Sequence, residues 1–266
     1  METETLPILS AAAFGNANFG RSYFRSDADT VGNYRSYSMD EIPKKTAYTI
    51  IPITNKDVEK VSLFLRKFFF RDEPLNVAVE LLVEPNATCQ ELEEYCVSCI
   101  PEGLSIMAVS PSGYLLGVCL NGSLTRDSNE NDNSKDHSIE DCANPKFKKI
   151  LQLLSTVTKL SDVFGHFPTA EKILDLRILS VDESCRGQGI AKALIDKTIE
   201  IAKEHNFPLI KVDCSSHYSA KAVSRLGFQS IFTLKYDDYV NSEGEKIFIT
   251  KPPHTCVKTF VMPLSA

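Results

Sequence analysis

The stretch ILSVDESCRGQGIA, residues 178–191, joins the end of an apolar run to a loop with two glycines and the start of a helical pattern. We interpret residues 173–181 as a buried strand, and the apolar spacing after Ile190 predicts a helix. Amides at a helix start carry partial positive charge, and glycine leaves them accessible. The sequence therefore predicts an anion cradle at Gly187 to Ala191, of a kind that can hold a pyrophosphate.

This glycine loop differs from two common nucleotide-binding motifs. It lacks the third glycine of GxGxxG and the GK[ST] ending of a P-loop. A glycine pair alone is a weak signal, so the loop by itself does not identify its ligand.

The composition indicates a globular protein that does not bind nucleic acid. The 266 residues are 43% apolar and carry a net charge of −6, so a large core is available and no basic surface is expected. No signal-peptide-like start and no apolar run of membrane length is present, which predicts a cytoplasmic protein without a membrane partner. The eight cysteines are then expected to be reduced, and the CxxC of Cys96 and Cys99 lacks the second ligand pair that would predict zinc.

The chain divides into a polar tail and one folded domain. Residues 1–46 are rich in Ser, Gly, Asn and Asp and have no sustained period, so we expect a disordered tail before a domain at 47–266. We expect the polar stretch 122–145 to be a solvated loop without a chemical role. The predicted elements are a strand at 47–53, helices at 58–70 and 76–83, a hairpin at 104–120, a helix at 147–160, the strand at 173–181 and its helix, a strand at 209–214, a helix ending at 225–228, and a closing hairpin.

The sequence DCSSHYSA, residues 213–220, places serines, a cysteine and a histidine directly after a predicted strand. A nucleophile elbow needs glycines two residues on either side of its serine. Neither Ser215 nor Ser219 has them, so a hydrolase is not favoured.

Arg186 to Ala191 resembles the coenzyme A pyrophosphate loop of the GCN5-related N-acetyltransferase superfamily. The order of elements agrees, and RLGF at 225–228 is similar to the KLGF ending found there. Four segments, FFFRDEPLN, NPKFKKIL, ILSVDESCRGQGIA and CSSHYSAKAVSRLGF, resemble the insect arylalkylamine N-acetyltransferases over about residues 47–263. The resemblance implies an α/β fold with a mixed central sheet and acetyl-CoA as co-substrate without a metal.

The resemblance also implies which residues bind the coenzyme. They come from the strand, whose backbone amides can also stabilise an oxyanion, and from the loop that follows it. These residues are Leu179, Ser180, Val181, Arg186, Gly187, Gln188, Gly189, Ile190 and Ala191.

The glutamate in FFFRDEPLN is the general base that the resemblance implies. Pro74 predicts a bend at Glu73, and burial against Phe68 to Phe70 would raise the pKa of its carboxyl toward a useful value. The alternative from the residues alone is an exposed acid at a helix end.

The resemblance assigns Ser215 and Ser219 to the catalytic group with Glu73. They can share one helix face if the helix starts where the strand ends, and the alternative is that Ser215 or Ser216 only caps the helix. Val223 stands where superfamily members commonly place a tyrosine acid. His217 and Tyr218 could each be a second relay in the reaction or a surface residue, and the sequence favours neither.

The sequence thus predicts a monomeric N-acetyltransferase that transfers acetyl from acetyl-CoA to a small aromatic amine. The aromatic residues of FFF and of KYDDY, at 235–239, either stack on the amine's ring or belong to the core. Polyamines or protein lysines are alternative acceptors, and a non-catalytic acyl-CoA-binding module is a third possibility.

Overall fold

Seven strands form one mixed sheet in the computed structural model, which describes residues 46–126 and 139–264. The strand order is β1-β2-β3-β4-β5-β7-β6, and every neighbouring pair is antiparallel except β4 and β5. The strands are β1 (Thr49–Pro52), β2 (Ile106–Val109), β3 (Leu115–Thr125), β4 (Lys172–Val181), β5 (Leu209–Cys214), β6 (Gln229–Lys235) and β7 (Cys256–Pro263).

Helices cover both faces of this sheet. Ile178 and Leu179 of β4 pack in different cores, as expected for successive residues of a strand. Helices α1, α3 and α4 contribute to the first core, and α6 and α7 to the second. The helices are α1 (Val58–Phe68), α2 (Pro74–Ala78), α3 (Gln90–Val97), α4 (Pro145–Ser161), α5 (Val163–His166), α6 (Ile190–Glu204) and α7 (His217–Arg225). None of the helices in the described ranges has the length and apolar content to cross a bilayer.

The predicted fold class is confirmed, and the hairpin of β2 and β3 and the strand 209–214 are where the sequence predicts them. The predicted helix 76–83 is wrong in extent. Helix α2 ends at Ala78, because Glu80 adopts a left-handed φ of 52° and the Leu81 amide turns back to the Asn76 carbonyl.

Two further elements differ from the sequence predictions. Helix α3 has no counterpart among them, although Leu92, Tyr95 and Cys96 have helical apolar spacing and are buried. Strand β3 runs to Thr125, so the stretch 122–145 is not wholly a loop. Residues 127–138 of that stretch, and the predicted tail except Thr46, lie outside the described residues.

Strands β4 and β5 pair at only two positions, Leu174 with Ile210 and Asp175 with Lys211. Beyond this point β4 continues to Val181 and β5 to Cys214 without pairing to each other. The carboxyl ends of the two parallel strands therefore diverge. In α/β sheets such an opening at the ends of parallel strands is a common place for a ligand.

Candidate active site

The glycine loop between β4 and α6 has the backbone of an anion cradle. Gly187 and Gly189 have φ angles of 79° and 86°, which disfavour any residue with a Cβ. Gly189 is also the N-cap of α6. The positive φ angles are therefore the reason that glycine is required here. A Cβ built on either glycine meets no heavy atom within 4 Å, so the space beside the loop is open. The N-cap Gly189 makes no side-chain hydrogen bond to the first amides of α6, and a phosphate group can accept hydrogen bonds from amides at such a helix start.

Several of the predicted coenzyme residues can contact a ligand only through their backbone. The side chains of Leu179, Val181 and Ile190 are buried in the core, and Ala191 packs against it. Ser180 is also buried, and its hydroxyl donates to the Phe68 carbonyl at 3.3 Å. What β4 offers a ligand in the opening is therefore its main chain.

The two polar side chains of the loop are held by neighbouring segments. The Arg186 Nε donates to the Val181 carbonyl at 3.2 Å, and its guanidinium lies 3.9 Å from the Asp72 carboxylate. The Gln188 side-chain oxygen accepts from the Thr46 amide at 2.8 Å. Arg186 thus connects the loop to the residue that precedes Glu73.

Glu73 is fully buried, so the alternative of an exposed helix-end acid is wrong. Its ψ of 121° is extended, as Pro74 requires, and it caps α2 with its own side chain. One carboxylate oxygen accepts from the Asn76 amide at 2.7 Å. The other accepts from the Ser215 hydroxyl at 2.6 Å.

Burial raises the pKa of the Glu73 carboxyl from 4.5 to about 7. Desolvation disfavours the charged carboxylate, and the hydrogen bonds from Ser215 and from the α2 amides oppose this effect. A carboxyl with a pKa near 7 exists in both protonation states at neutral pH, which suits proton exchange with an amine.

Ser215 and Ser219 do not share a helix face, so that prediction is wrong. Helix α7 begins at His217, and Ser216 is its N-cap, accepting from the Ser219 amide at 3.0 Å. The Ser219 hydroxyl accepts from the Ser216 hydroxyl at 2.9 Å and donates to the Ser216 carbonyl at 3.0 Å. Ser215 therefore contacts Glu73, whereas the Ser219 hydroxyl bonds Ser216 in the first turn of the helix and also contacts the Cys214 thiol at the end of β5.

Tyr236 also belongs to this site. From the sequence it could either stack on the ring of the amine or pack in the core. It is buried and its hydroxyl donates to the Ser215 carbonyl at 2.7 Å. It lies in a 3₁₀ turn directly after β6. Strand β7 pairs with both β5 and β6, and this pairing brings the turn next to the carboxyl end of β5. The sequence indicates a role for Tyr236 only through its chemistry, because a buried tyrosine hydroxyl needs a hydrogen-bond partner.

A model of the Acetyltransferase (GNAT) family matches residues 160–228, the segment that holds β4, the glycine loop and α7. Over a longer range, the chain is similar to the crystal structure of arylalkylamine N-acetyltransferase 2 from Aedes aegypti. The two are 36% identical, the match covers 82% of this chain and 99% of that chain, and the TM-score is 0.75. The chain belongs to the acetyltransferase (GNAT) family.

Two other solved structures that the chain resembles are described as acting on different classes of amine. A Drosophila melanogaster polyamine N-acetyltransferase that catalyses the formation of N-acetylagmatine is 27% identical, with 82% of this chain and all of that chain covered and a TM-score of 0.72. The mosquito arylalkylamine N-acetyltransferase like 5b, 22% identical with 82% of this chain and 100% of that chain covered and a TM-score of 0.69, shares the fold.

A GNAT enzyme uses acetyl-CoA as its co-substrate, and the described residues fit that ligand. The two left-handed glycines and the start of α6 provide amides for a pyrophosphate. The opening between β4 and β5 offers main-chain groups to an extended thioester arm. The chain is therefore an acetyl-CoA-dependent N-acetyltransferase that acts on amines.

The place of the common tyrosine acid of the superfamily is occupied by a side chain that cannot donate a proton. Val223 is fully buried in the second core. Nearby, Tyr218 packs between His217 and His254, with ring centroids 5.7 and 5.5 Å apart, and the His217 amide donates to His254 Nδ1 at 3.3 Å. His217 and Tyr218 thus belong to a ring cluster with His254.

Proposed function

We propose that this acetyltransferase acetylates the primary amine of arylalkylamines such as dopamine, serotonin, tyramine, octopamine or tryptamine, by direct attack of the amine on the thioester of acetyl-CoA. The observation that carries the proposal is the buried Glu73–Ser215 pair. The 36% identity to the Aedes aegypti enzyme supports an aromatic amine as acceptor.

The reaction must first remove a proton from the acceptor. An alkylammonium with a pKa near that of lysine is a free base in only about one molecule in a few thousand at neutral pH. In the proposed mechanism the Glu73 carboxylate accepts this proton, directly or through water. Burial of Glu73 matches its pKa to that task, because it raises the proton affinity of the carboxylate.

The remaining steps need stabilisation of charge on oxygen and on sulfur. The amine nitrogen attacks the thioester carbonyl, and main-chain amides of residues 179–181 stabilise the negative charge that develops on oxygen. The C–S bond then breaks and coenzyme A leaves. We propose that Ser215 and Ser219 contribute hydrogen bonds near the leaving sulfur, since a serine hydroxyl is too weak an acid to protonate a thiolate unaided. Each hydroxyl has one hydrogen, so in this step Ser215 gives up its bond to Glu73 and Ser219 its bond to the Ser216 carbonyl.

A second candidate acceptor is agmatine or a polyamine, which the 27% identity to the Drosophila melanogaster enzyme favours. Both proposals use the same base and coenzyme loop and differ in the acceptor pocket. A monomeric state and a cytoplasmic location are part of the proposal for either acceptor.

An assay of coenzyme A release separates these acceptors. Acetyl-CoA is combined with dopamine, serotonin, tyramine, agmatine, spermidine or a histone-tail peptide, for the wild type and for Glu73→Gln. We expect kcat/KM to be highest for the aromatic amines and to fall by roughly 10²- to 10⁴-fold in the variant, the usual size of a general-base effect, while coenzyme binding is unchanged. Turnover confined to agmatine and spermidine, or to the peptide, would replace the proposed acceptor.

A further inference from the structure

Tyr236 holds the main chain at the point where β5 has ended and α7 has not begun. Its hydroxyl donates to the Ser215 carbonyl at 2.7 Å, and the pairing of β5 with β7 stops one residue earlier, at Cys214. Residue 215 is therefore outside the strand ladder that fixes the preceding residues. The tyrosine provides an anchor where the sheet no longer does.

Tyr236 is itself fixed in place. Its side chain is 1% exposed and packs on Phe248 with the ring centroids 6.3 Å apart. Its backbone amide donates to the Thr255 carbonyl at 3.1 Å. A rigid hydroxyl can define the position of the group to which it is bonded.

A continuous set of hydrogen bonds leads from this hydroxyl to the carboxyl of Glu73. Tyr236 donates to the Ser215 main chain, and the Ser215 hydroxyl donates to one oxygen of Glu73 at 2.6 Å. Asn76 holds the other oxygen at 2.7 Å. A shift of residue 215 would therefore lengthen the Ser215–Glu73 bond while the Asn76 bond remained.

We infer that Tyr236 is a positioning residue for the reaction, because its hydroxyl sets the place from which Ser215 donates to Glu73. This inference rests on the proposed role of Glu73 as the base. The hydroxyl of Tyr236 is directed at a carbonyl in the interior, so Tyr236 acts through Ser215 and is not assigned contact with the substrates. Burial also raises the pKa of the Tyr236 phenol well above its ordinary value, which keeps the donor protonated.

The inference predicts a change in the titration of Glu73. The hydrogen bond from Ser215 lowers the pKa of Glu73, so its weakening must raise that pKa. Cys96 of α3 and Tyr236 are ionisable groups that interact electrostatically with Glu73. Burial raises the pKa of both groups well above its ordinary value, so both stay protonated near neutral pH and do not obscure the titration of Glu73.

The test compares Tyr236→Phe with Tyr239→Phe. The first variant removes one oxygen atom from the bond to Ser215. The second removes the hydroxyl of Tyr239, which packs against the first core and on the same Phe248 ring, with centroids 6.0 Å apart. We expect kcat/KM for the best amine to fall about tenfold in Tyr236→Phe, the size of one net hydrogen bond, and its acid limb to move to higher pH. In Tyr239→Phe, kcat/KM should stay within about twofold of the wild-type value. The KM for acetyl-CoA should also stay within about twofold in both variants.

A double-mutant cycle decides whether Tyr236 acts through Ser215. Ser215→Ala should raise the acid limb in the same direction, and adding Tyr236→Phe to it should cause little further change. A full additional loss in the Ser215→Ala background would show that Tyr236 acts independently of Ser215. Equal behaviour of Tyr236→Phe and Tyr239→Phe would also overturn the inference.

A measurement without turnover separates this inference from the proposed function. Carboxyl-carbon NMR of the wild type, with the Glu73 signal assigned by its loss in Glu73→Gln, reports the pKa of Glu73 directly. Tyr236→Phe should raise that pKa even if none of the tested amines is acetylated, and an unchanged pKa rejects the inference. If Tyr236→Phe does not fold, Phe248→Leu is the second variant, because it keeps the Tyr236 hydroxyl but removes the ring on which Tyr236 packs. Phe248→Leu should raise the pKa of Glu73 by a smaller amount.

Discussion

A single buried acid lies near the carboxyl end of β5 and a buried group with two acids lies near its middle, and the two sites are stabilised in opposite ways. Near the end of β5, the Glu73 carboxylate accepts hydrogen bonds from neutral donors, which are the Ser215 hydroxyl and the main-chain amides of Asn76 and Leu75. In the middle of β5, the Lys211 ammonium lies 2.5 Å from Asp213 and 3.8 Å from Asp175. All three members of this second group are buried.

The difference indicates that Glu73 is suited to proton exchange and that the Lys211 group stabilises the structure. Burial raises the pKa of Glu73 to about 7 with only hydrogen bonds acting against it. Burial also raises the pKa of Asp175, to about 6, where the charges of Lys211 and Arg177 act against it. Glu73 can gain a proton without breaking an ion pair. The Lys211 group instead connects β5 to β4 at the last residues that the two strands pair.

The largest effect expected is on stability, in Lys211→Met. Removal of the ammonium takes away the cation that lies 2.5 Å from the buried Asp213 and, among the described residues, leaves Asp175 with only Arg177, at 3.5 Å. Loss of one partner of a buried ion pair typically costs about 3–5 kcal/mol. Urea unfolding monitored by circular dichroism measures the loss. Lys192→Met is the matched control, because Lys192 makes an exposed ion pair with Asp196, and its loss should be far smaller. Similar losses in the two variants would mean that the buried group contributes no more than a surface pair.

Glu73→Gln should gain stability relative to the wild type as the pH rises, in contrast to the loss in Lys211→Met. The reason is that the folded protein holds its Glu73 proton more tightly than the unfolded chain does. A raised folded pKa contributes stability that is fully present below pH 4.5 and is lost as the pH rises through about 7. The loss by pH 8 amounts to about 3 kcal/mol. Glutamine cannot titrate, so the difference in free energy of unfolding between variant and wild type should grow in favour of the variant between pH 4.5 and 8. A difference that does not change with pH would contradict the raised pKa.

The smallest effect is expected in Asp175→Asn. Neither carboxylate oxygen of Asp175 has a hydrogen-bond partner among the described residues, and Lys211 keeps Asp213 at 2.5 Å. We expect a loss of about 1 kcal/mol, measured by the same urea unfolding. A loss as large as that of Lys211→Met would show that Asp175, rather than Asp213, balances the ammonium.

The fold could be predicted from the sequence wherever local patterns carry it. The strand 209–214 and the α/β class are confirmed, since apolar periods and turn residues are local signals. Helix α2 shows the limit of that approach. Its apolar residues continue beyond Ala78, but Glu80 takes a left-handed conformation, and only packing decides that the helix ends there.

The candidate site could be predicted as a set of residues but not as an arrangement. Ser215 and Ser219 look equivalent in the sequence, yet one bonds Glu73 and the other bonds Ser216. The position at which α7 begins causes the difference. It is set by the Ser216 cap, which the sequence left open between two serines.

The sequence by itself determined the glycine loop that we propose for the coenzyme, because the conformation of Gly187 and Gly189 and the amides at the start of α6 are properties of adjacent residues. Only the tertiary structure decided the state of the proposed base. Glu73 and Ser215 are 142 residues apart, and Tyr236 reaches Ser215 from beyond β6. The pKa of a buried carboxyl depends on which groups surround it, and those groups come together only when the strands and helices pack.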